Sequence, residues 1–209
     1  MTPEEFLDAV RADAKTELSR LGSSKSLYAD TMGEMETDAV LAAAADAEHA
    51  AAETFAAWAA DADDEAAAEA FAATAEEERE HYERVAAELD AHEPSEAVPA
   101  IQEMLRGFDD TLDRLGGLVG RTLAAEKSKE QLTGYFVGEA DPQTSQLFRD
   151  LGADLDDQLE RATDLLAERC ADEADWERAR EAATAAIGSA YDEYTERLES
   201  MGVNPKPVC

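Results

Sequence analysis

The chain has 209 residues, enough for one sizeable hydrophobic core, and no break in composition divides it. Fifty Asp and Glu against eighteen Lys and Arg leave a formal charge of -32, which repels phosphate backbones and anionic membranes and so disfavours a nucleic-acid or membrane-surface role. Because 44% of the residues are hydrophobic and the acids are spread through periodic segments, the chain is expected to fold rather than to behave as a disordered acidic tail.

Helical periodicity runs throughout, and no useful length alternates like a strand, so the expected fold class is all-α. Thr2, Pro3 and Glu5 form a capped start, and Phe6, Val10, Ala14 and Leu18 carry an apolar stripe over a leading helix at 3 to 21, stopped by Gly22. Leu27, Tyr28 and Met32 leave 24 to 35 open between a short helix and a loop. A first long helix is expected over 34 to 60, with Leu41, Ala45, Glu48, Ala52, Phe55 and Ala59 on one face. After the Asp-rich turn at 61 to 64, a second runs to about 91, its inner face carrying Phe71, Thr74, Glu78, His81, Val85 and Leu89.

Pro94, Pro99 and Gly107 then break the pattern, giving a connection long enough to cross a bundle and to hold one short helix. The third long helix is expected over 108 to 139, with Leu112, Leu115, Val119, Thr122, Glu126, Thr133 and Val137 facing inward. Asp141-Pro142 starts a fourth, over 142 to 170, through Phe148, Leu151, Leu155, Leu159, Ala162 and Leu166. A last helix, at 174 to 201, presents Trp176, Ala183, Ile187, Tyr191, Tyr194 and Leu198. Two short links and one long one imply a four-helix bundle with a single crossover, over 34 to 170, with appended segments at 1 to 33 and 171 to 209. A plain helical bundle or spectrin-like repeat without a site is the competing architecture.

The chemistry sits on these stripes. Glu78-x-x-His81 places a carboxylate and an imidazole on one helix face, and that face is otherwise apolar. A carboxylate on a core stripe costs several kcal/mol unless it is paired or bound to a cation. Glu48 and Glu126 interrupt two further stripes at mid-length, and the only bases noted near an inward position are Lys127 beside Glu126 and Arg121 one turn before it. A divalent cation held by carboxylates and an imidazole would resolve all three, and iron or manganese suits mixed oxygen and nitrogen donors.

At this point the chain resembles the ferritin-like superfamily, and within it the rubrerythrins. The similarity lies in "DAEHAAAETFAAWA" followed by "AEEEREHYERV", which look like that family's first Glu and its Glu-x-x-His. The resemblance implies Glu48 as a terminal ligand of a first metal, Glu78 as a bridging carboxylate, His81 as the imidazole ligand and Glu126 as a terminal ligand of a second metal. Glu130 is an alternative to Glu126. The second Glu-x-x-His of rubrerythrins is missing: Leu155 and Gln158 stand in its place. Ferritins also keep a Gln there, so Gln158 is a candidate ligand, with Asp154 or Asp157 as the carboxylate that could enter instead. The CxxC rubredoxin centre of the family is absent too, so electrons would come from a separate donor.

The implied activity is iron binding with Fe(II) oxidation, or peroxide and oxygen handling under oxidative stress. The cofactor would be iron, with manganese as the alternative, as a pair or a single ion. The competing expectation is a metal-free, degenerate member with a binding, regulatory or structural role. With Arg far outnumbering Lys and Ala abundant, the composition resembles that of cytoplasmic proteins from salt-accumulating halophilic microbes, implying a halophilic archaeon as the source and screening of the self-repulsion by salt. The two cysteines form no CxxC, with Cys170 in a helical stretch and Cys209 read as a loose tail thiol. The N-terminus lacks an apolar leader and no apolar run reaches membrane-span length, so the cytosol is the expected compartment, with a homo-oligomer as the expected partner. His49 and His92 are read as solvated, and Tyr82, Tyr135, Trp58 and Trp176 as packing aromatics.

Overall fold

A computed structural model describes residues 1–206, so the expectation for Cys209 lies outside the described residues. Among those residues every regular element is helical, as the periodicity required. The helices are α1 (Pro3–Asp13), α2 (Lys15–Leu21), α3 (Lys25–Asp30), α4 (Thr37–Asp61), α5 (Glu65–Ala86), α6 (Ala100–Arg106), α7 (Thr111–Gly138), α8 (Pro142–Arg169) and α9 (Glu173–Ser200). No described helix is long and apolar enough to cross a membrane.

The starts are written locally. Thr2 and Glu5 form a reciprocal capping box on α1 with Pro3 inside it, while Asp64, Asp110, Asp141 and Asp172 each cap the helix that follows by accepting backbone N–H bonds. The leading helix differs from expectation in being broken at Ala14, whose φ of -94° and ψ of 22° interrupt it between α1 and α2. The ambiguous stretch resolves as α3, which ends before Met32 and Gly33 turn the chain through positive φ.

The antiparallel pairs α4–α5 and α7–α8 are joined by residues 62–64 and 139–141, and they meet along α5 and α8. Residues 87–110 connect the two pairs and include α6. Helix α9 lies along α7 on the outer side, and α1, α2, α3 and α6 all pack on it. The α7–α9 contact is close because Gly116 and Gly120 present bare backbone: a Cβ there would lie 2.1 Å from the Ala179 carbonyl oxygen and 2.2 Å from that of Ala183. A large apolar core gathers Phe6, Phe55, Trp58, Phe71, Leu115 and Trp176, and a smaller one at the other end joins Leu41, Val85, Phe136 and Phe148. The buried polar cluster described next lies along the same inner faces, between Leu41 and Phe55 on α4 and between Phe71 and Val85 on α5.

The expected inner faces of α4, α5, α8 and α9 are the buried ones, except that Ala59, Leu89 and Tyr191 are only partly buried, Leu89 lying beyond the end of α5 at Ala86. The inner face of α7 is not the expected one beyond Thr122. It continues through Lys129, Leu132 and Phe136, whereas Glu126 is only half-buried and Val137 is 57% exposed. The two frames differ by one residue, about 100° of helix rotation; Ala124 and Ala125 suit either, while Leu132 and Phe136 belong to the observed one.

Candidate functional site

Glu48 on α4 and Glu78 and His81 on α5 are brought together in the interior, at 2%, 0% and 1% exposure. One possible ligand atom from each lies within 4.8 Å of the others, so this buried carboxylate and imidazole group could hold a metal ion. Gln158 on α8 joins them, fully buried, its Nε2 donating to Glu78 Oε1 at 2.8 Å. Glu126 does not. It sits on the flank of α7 facing Arg11 at 3.9 Å, with burial pushing its carboxyl above the usual range despite Arg11 and Lys127 nearby. Glu130 is exposed and takes Lys127 as its partner at 2.7 Å.

Two bases occupy the inner face of α7 instead, correcting the expectation that none but Arg121 or Lys127 could approach. Arg121, 5% exposed, donates from both terminal nitrogens to Glu78, at 2.5 Å to Oε1 and 2.7 Å to Oε2, a bidentate fork that matches a carboxylate in shape and charge. Its Nη2 also lies 3.6 Å from Glu48 Oε2, and its guanidinium carbon 5.7 Å from the centre of the Phe55 ring. Lys129, 4% exposed and two turns further on, pairs with Glu48 Oε1. Burial would push the Glu78 carboxyl up, but the Arg121 charge and hydrogen bonds outweigh it and hold the group well below the usual carboxylate range. Burial likewise acts to lower the Arg121 pKa, and the Glu78 and Glu48 carboxylates more than reverse it.

His81 Nε2–H donates to Asp154 Oδ2 at 3.1 Å, so Asp154 meets the imidazole from the outer side of the cluster, while Gln158 is the α8 residue inside it. Asp154 is half-exposed and also faces Arg84 at 3.8 Å, which ties the buried imidazole to the surface of α8. Asp157 is exposed. His81 Nδ1 and Glu48 Oε2, 4.0 Å apart, are buried without hydrogen-bond partners. His92, expected to be solvated, has a side chain only 7% exposed, beside Asp46 and Tyr82, because residues 92–95 fold back onto α4.

The donor set fits a resident metal poorly. Two carboxylates and two buried cations already balance, Glu78 has both oxygens engaged by Arg121, and Arg121 cannot shed its proton. At an effective dielectric of about 20, a unit charge about 4 Å from a divalent ion is repelled by roughly 8 kcal/mol. Among the described residues, the unspent donors in this cluster are Glu48 Oε2 and His81 Nδ1, two ligands where a stable site takes about four or more. Arg121 is legible in the sequence as the base one turn before Glu126; Lys129 is not, because a frame through Glu126 places it on the outside of α7. Comparison of the chain with protein-family models, with curated proteins and with solved structures finds no match.

Proposed function

We propose that the protein is a ferritin-like four-helix bundle in which an ion-pair cluster stands where a di-metal centre would be, and that it acts as a binding protein rather than as an oxidase. The observation that carries this reading is the pairing of Arg121 with both oxygens of Glu78, alongside Lys129 on Glu48, all four residues being at most 5% exposed. The cluster neutralises the two acids by itself and leaves no exchangeable face on Glu78 for iron or oxygen. Two antiparallel helix pairs, α4–α5 and α7–α8, joined by one long connection, with Glu48, Glu78 and His81 inward, support the ferritin-like assignment, α9 being added outside them. The charge of -32 supports a cytoplasm rich in salt.

Titrating Fe(II), Mn(II) or Zn(II) into EDTA-dialysed protein while following thermal unfolding tests this. A resident site raises Tm, because ligand binding stabilises the native state by about 2.7 kcal/mol at a hundredfold excess over Kd. The expected result is no shift in the wild type and a metal-dependent rise in the Arg121→Met/Lys129→Met variant, whose acids are freed. A second reading, a single cation bridging Glu48 Oε2 and His81 Nδ1, rests on their shared lack of partners. It predicts a rise in the wild type that His81→Phe abolishes.

A further inference from the structure

A cavity of about 690 Å³ lies between α4 and α7, lined on both helices by small residues such as Ala43 and Ala125. Part of its wall is not helical: Ser95, Ala97, Val98 and Pro99, from the connection between α5 and α6, line it too. This segment is a strap tied down at both ends. At the far end the Ala100 N–H donates to Glu193 Oε2 of α9 at 3.1 Å. At the near end the Ser95 N–H donates to Asp46 Oδ1 of α4 at 2.9 Å, and Ser95 Oγ accepts the Ala97 N–H at 3.1 Å. Pro94 and Pro99 have fixed φ and limit how the strap can bend between these anchors.

Asp46 has a second neighbour in the strap. His92 Nε2 stands 3.1 Å from the same Oδ1, its side chain 7% exposed, yet it makes no hydrogen bond. A misaligned contact of this length does little for a neutral ring, whose nitrogen stays buried and unsatisfied. It does most for an imidazolium, because attraction between charges does not depend on alignment. The other groups about the ring bring no fixed positive charge: Tyr82 of α5 has its ring centre 5.9 Å away, His49 of α4 packs on the same tyrosine at 5.3 Å, and the chain neighbours Asp90 and Glu93 are exposed acids. An imidazole changes its charge between about pH 5 and 8, so the near anchor changes strength within that range.

We infer that residues 92–99 form a pH-gated strap: in acid the His92 imidazolium clamps it to Asp46 and closes that side of the α4–α7 cavity, and loss of the proton at higher pH releases it. The inference requires neither the ion-pair cluster nor a metal. The test is NMR measurement of solvent exchange at the Ser95 amide, relative to the unstructured rate at each pH. It is run in about 1 M NaCl, which screens the -32 charge of the chain but the buried His92 contact much less. Protection at Ser95 is expected to fall at least tenfold between about pH 5.5 and 8, while amides inside α4, such as that of Phe55, keep theirs. Asp46→Asn retains an oxygen for the Ser95 N–H but no charge, and His92→Gln retains a polar side chain that cannot be protonated; each is expected to abolish the pH dependence. Asp30 lines the same cavity with its carboxyl at about 6, so Asp30→Asn serves as the control and is expected to leave the Ser95 profile as in the wild type. Wild-type protection constant within twofold, an equal loss at Phe55, a pH dependence that survives in either anchor variant, or one that vanishes in Asp30→Asn overturns the inference.

Discussion

Replacing Arg121 with Met isolates the interaction on which the interior depends. The change keeps an apolar stem of similar reach and removes a guanidinium that holds both oxygens of Glu78, at 2.5 and 2.7 Å, and stands 3.6 Å from Glu48. Glu78 is fully buried and would be left with Gln158 alone. Breaking a buried pair from one side costs about 3–5 kcal/mol, because the surviving charge is stranded away from water. For a chain of this size each kcal/mol is worth about 2–4 °C, so Tm should fall by roughly 6–20 °C. Removing both partners should behave differently: Glu78→Leu/Arg121→Met strands no charge, since Lys129 still serves Glu48, and such replacements run from neutral to about 4 kcal/mol stabilising. Thermal unfolding followed by circular dichroism in EDTA and molar salt reads both variants. A single variant within about 2 °C of wild type, or a double variant less stable than the single, would refute the reasoning.

Three further outcomes follow from the structure. Gly120→Leu should lower Tm strongly by driving α9 from α7, since a Cβ already meets the Ala183 carbonyl oxygen at 2.2 Å, while Gly134→Leu, with open space around it, should not. Asp30 lines the cavity, where crowding by protein atoms pushes its carboxyl from 3.8 up to about 6 against the pull of Arg197, and the 42% of its side chain still open to solvent screens part of that shift. A raised carboxyl favours folding while protonated, a contribution complete below about pH 3.8 and lost as pH rises through about 6. Asp30→Asn should therefore raise stability at pH 8, by about 1 kcal/mol once solvent screening of this 42% exposed group is allowed for, with the gain shrinking towards pH 4. Wild-type Tm should climb steeply between about 0.1 and 1 M NaCl as the -32 charge is screened, and a flat profile would contradict the halophilic reading.

How far the sequence could be read depended on what disambiguated each stripe. On α5, Phe71, Thr74, Glu78, His81 and Val85 allow one frame only, so the inward carboxylate and imidazole were legible from spacing alone. On α7 the run from Thr122 to Glu130 mixes Ala, Thr, Glu and Lys, and that helix also packs α9 on its far side, so only Leu132 and Phe136 in its last turns mark the inner frame. A frame one residue away exchanges Lys129 for Glu126 and turns a neutral ion-pair cluster into an apparent excess of acid. Residue type compounded the error, because a long base reaching inward from a neighbouring helix leaves no signature in a pattern search for apolar spacing. The Ala-rich faces of α4 and α7 read as ordinary packing positions. Only the structure shows that they leave a cavity instead of closing it.

The most direct test of the ion-pair account is anomalous diffraction across the iron edge from crystals of untagged protein, purified from iron-replete cells without chelators. The account predicts no anomalous peak among Glu48, Glu78 and His81, and density for the Arg121 guanidinium against both oxygens of Glu78. A peak at more than half occupancy there, with Arg121 turned away, would contradict it.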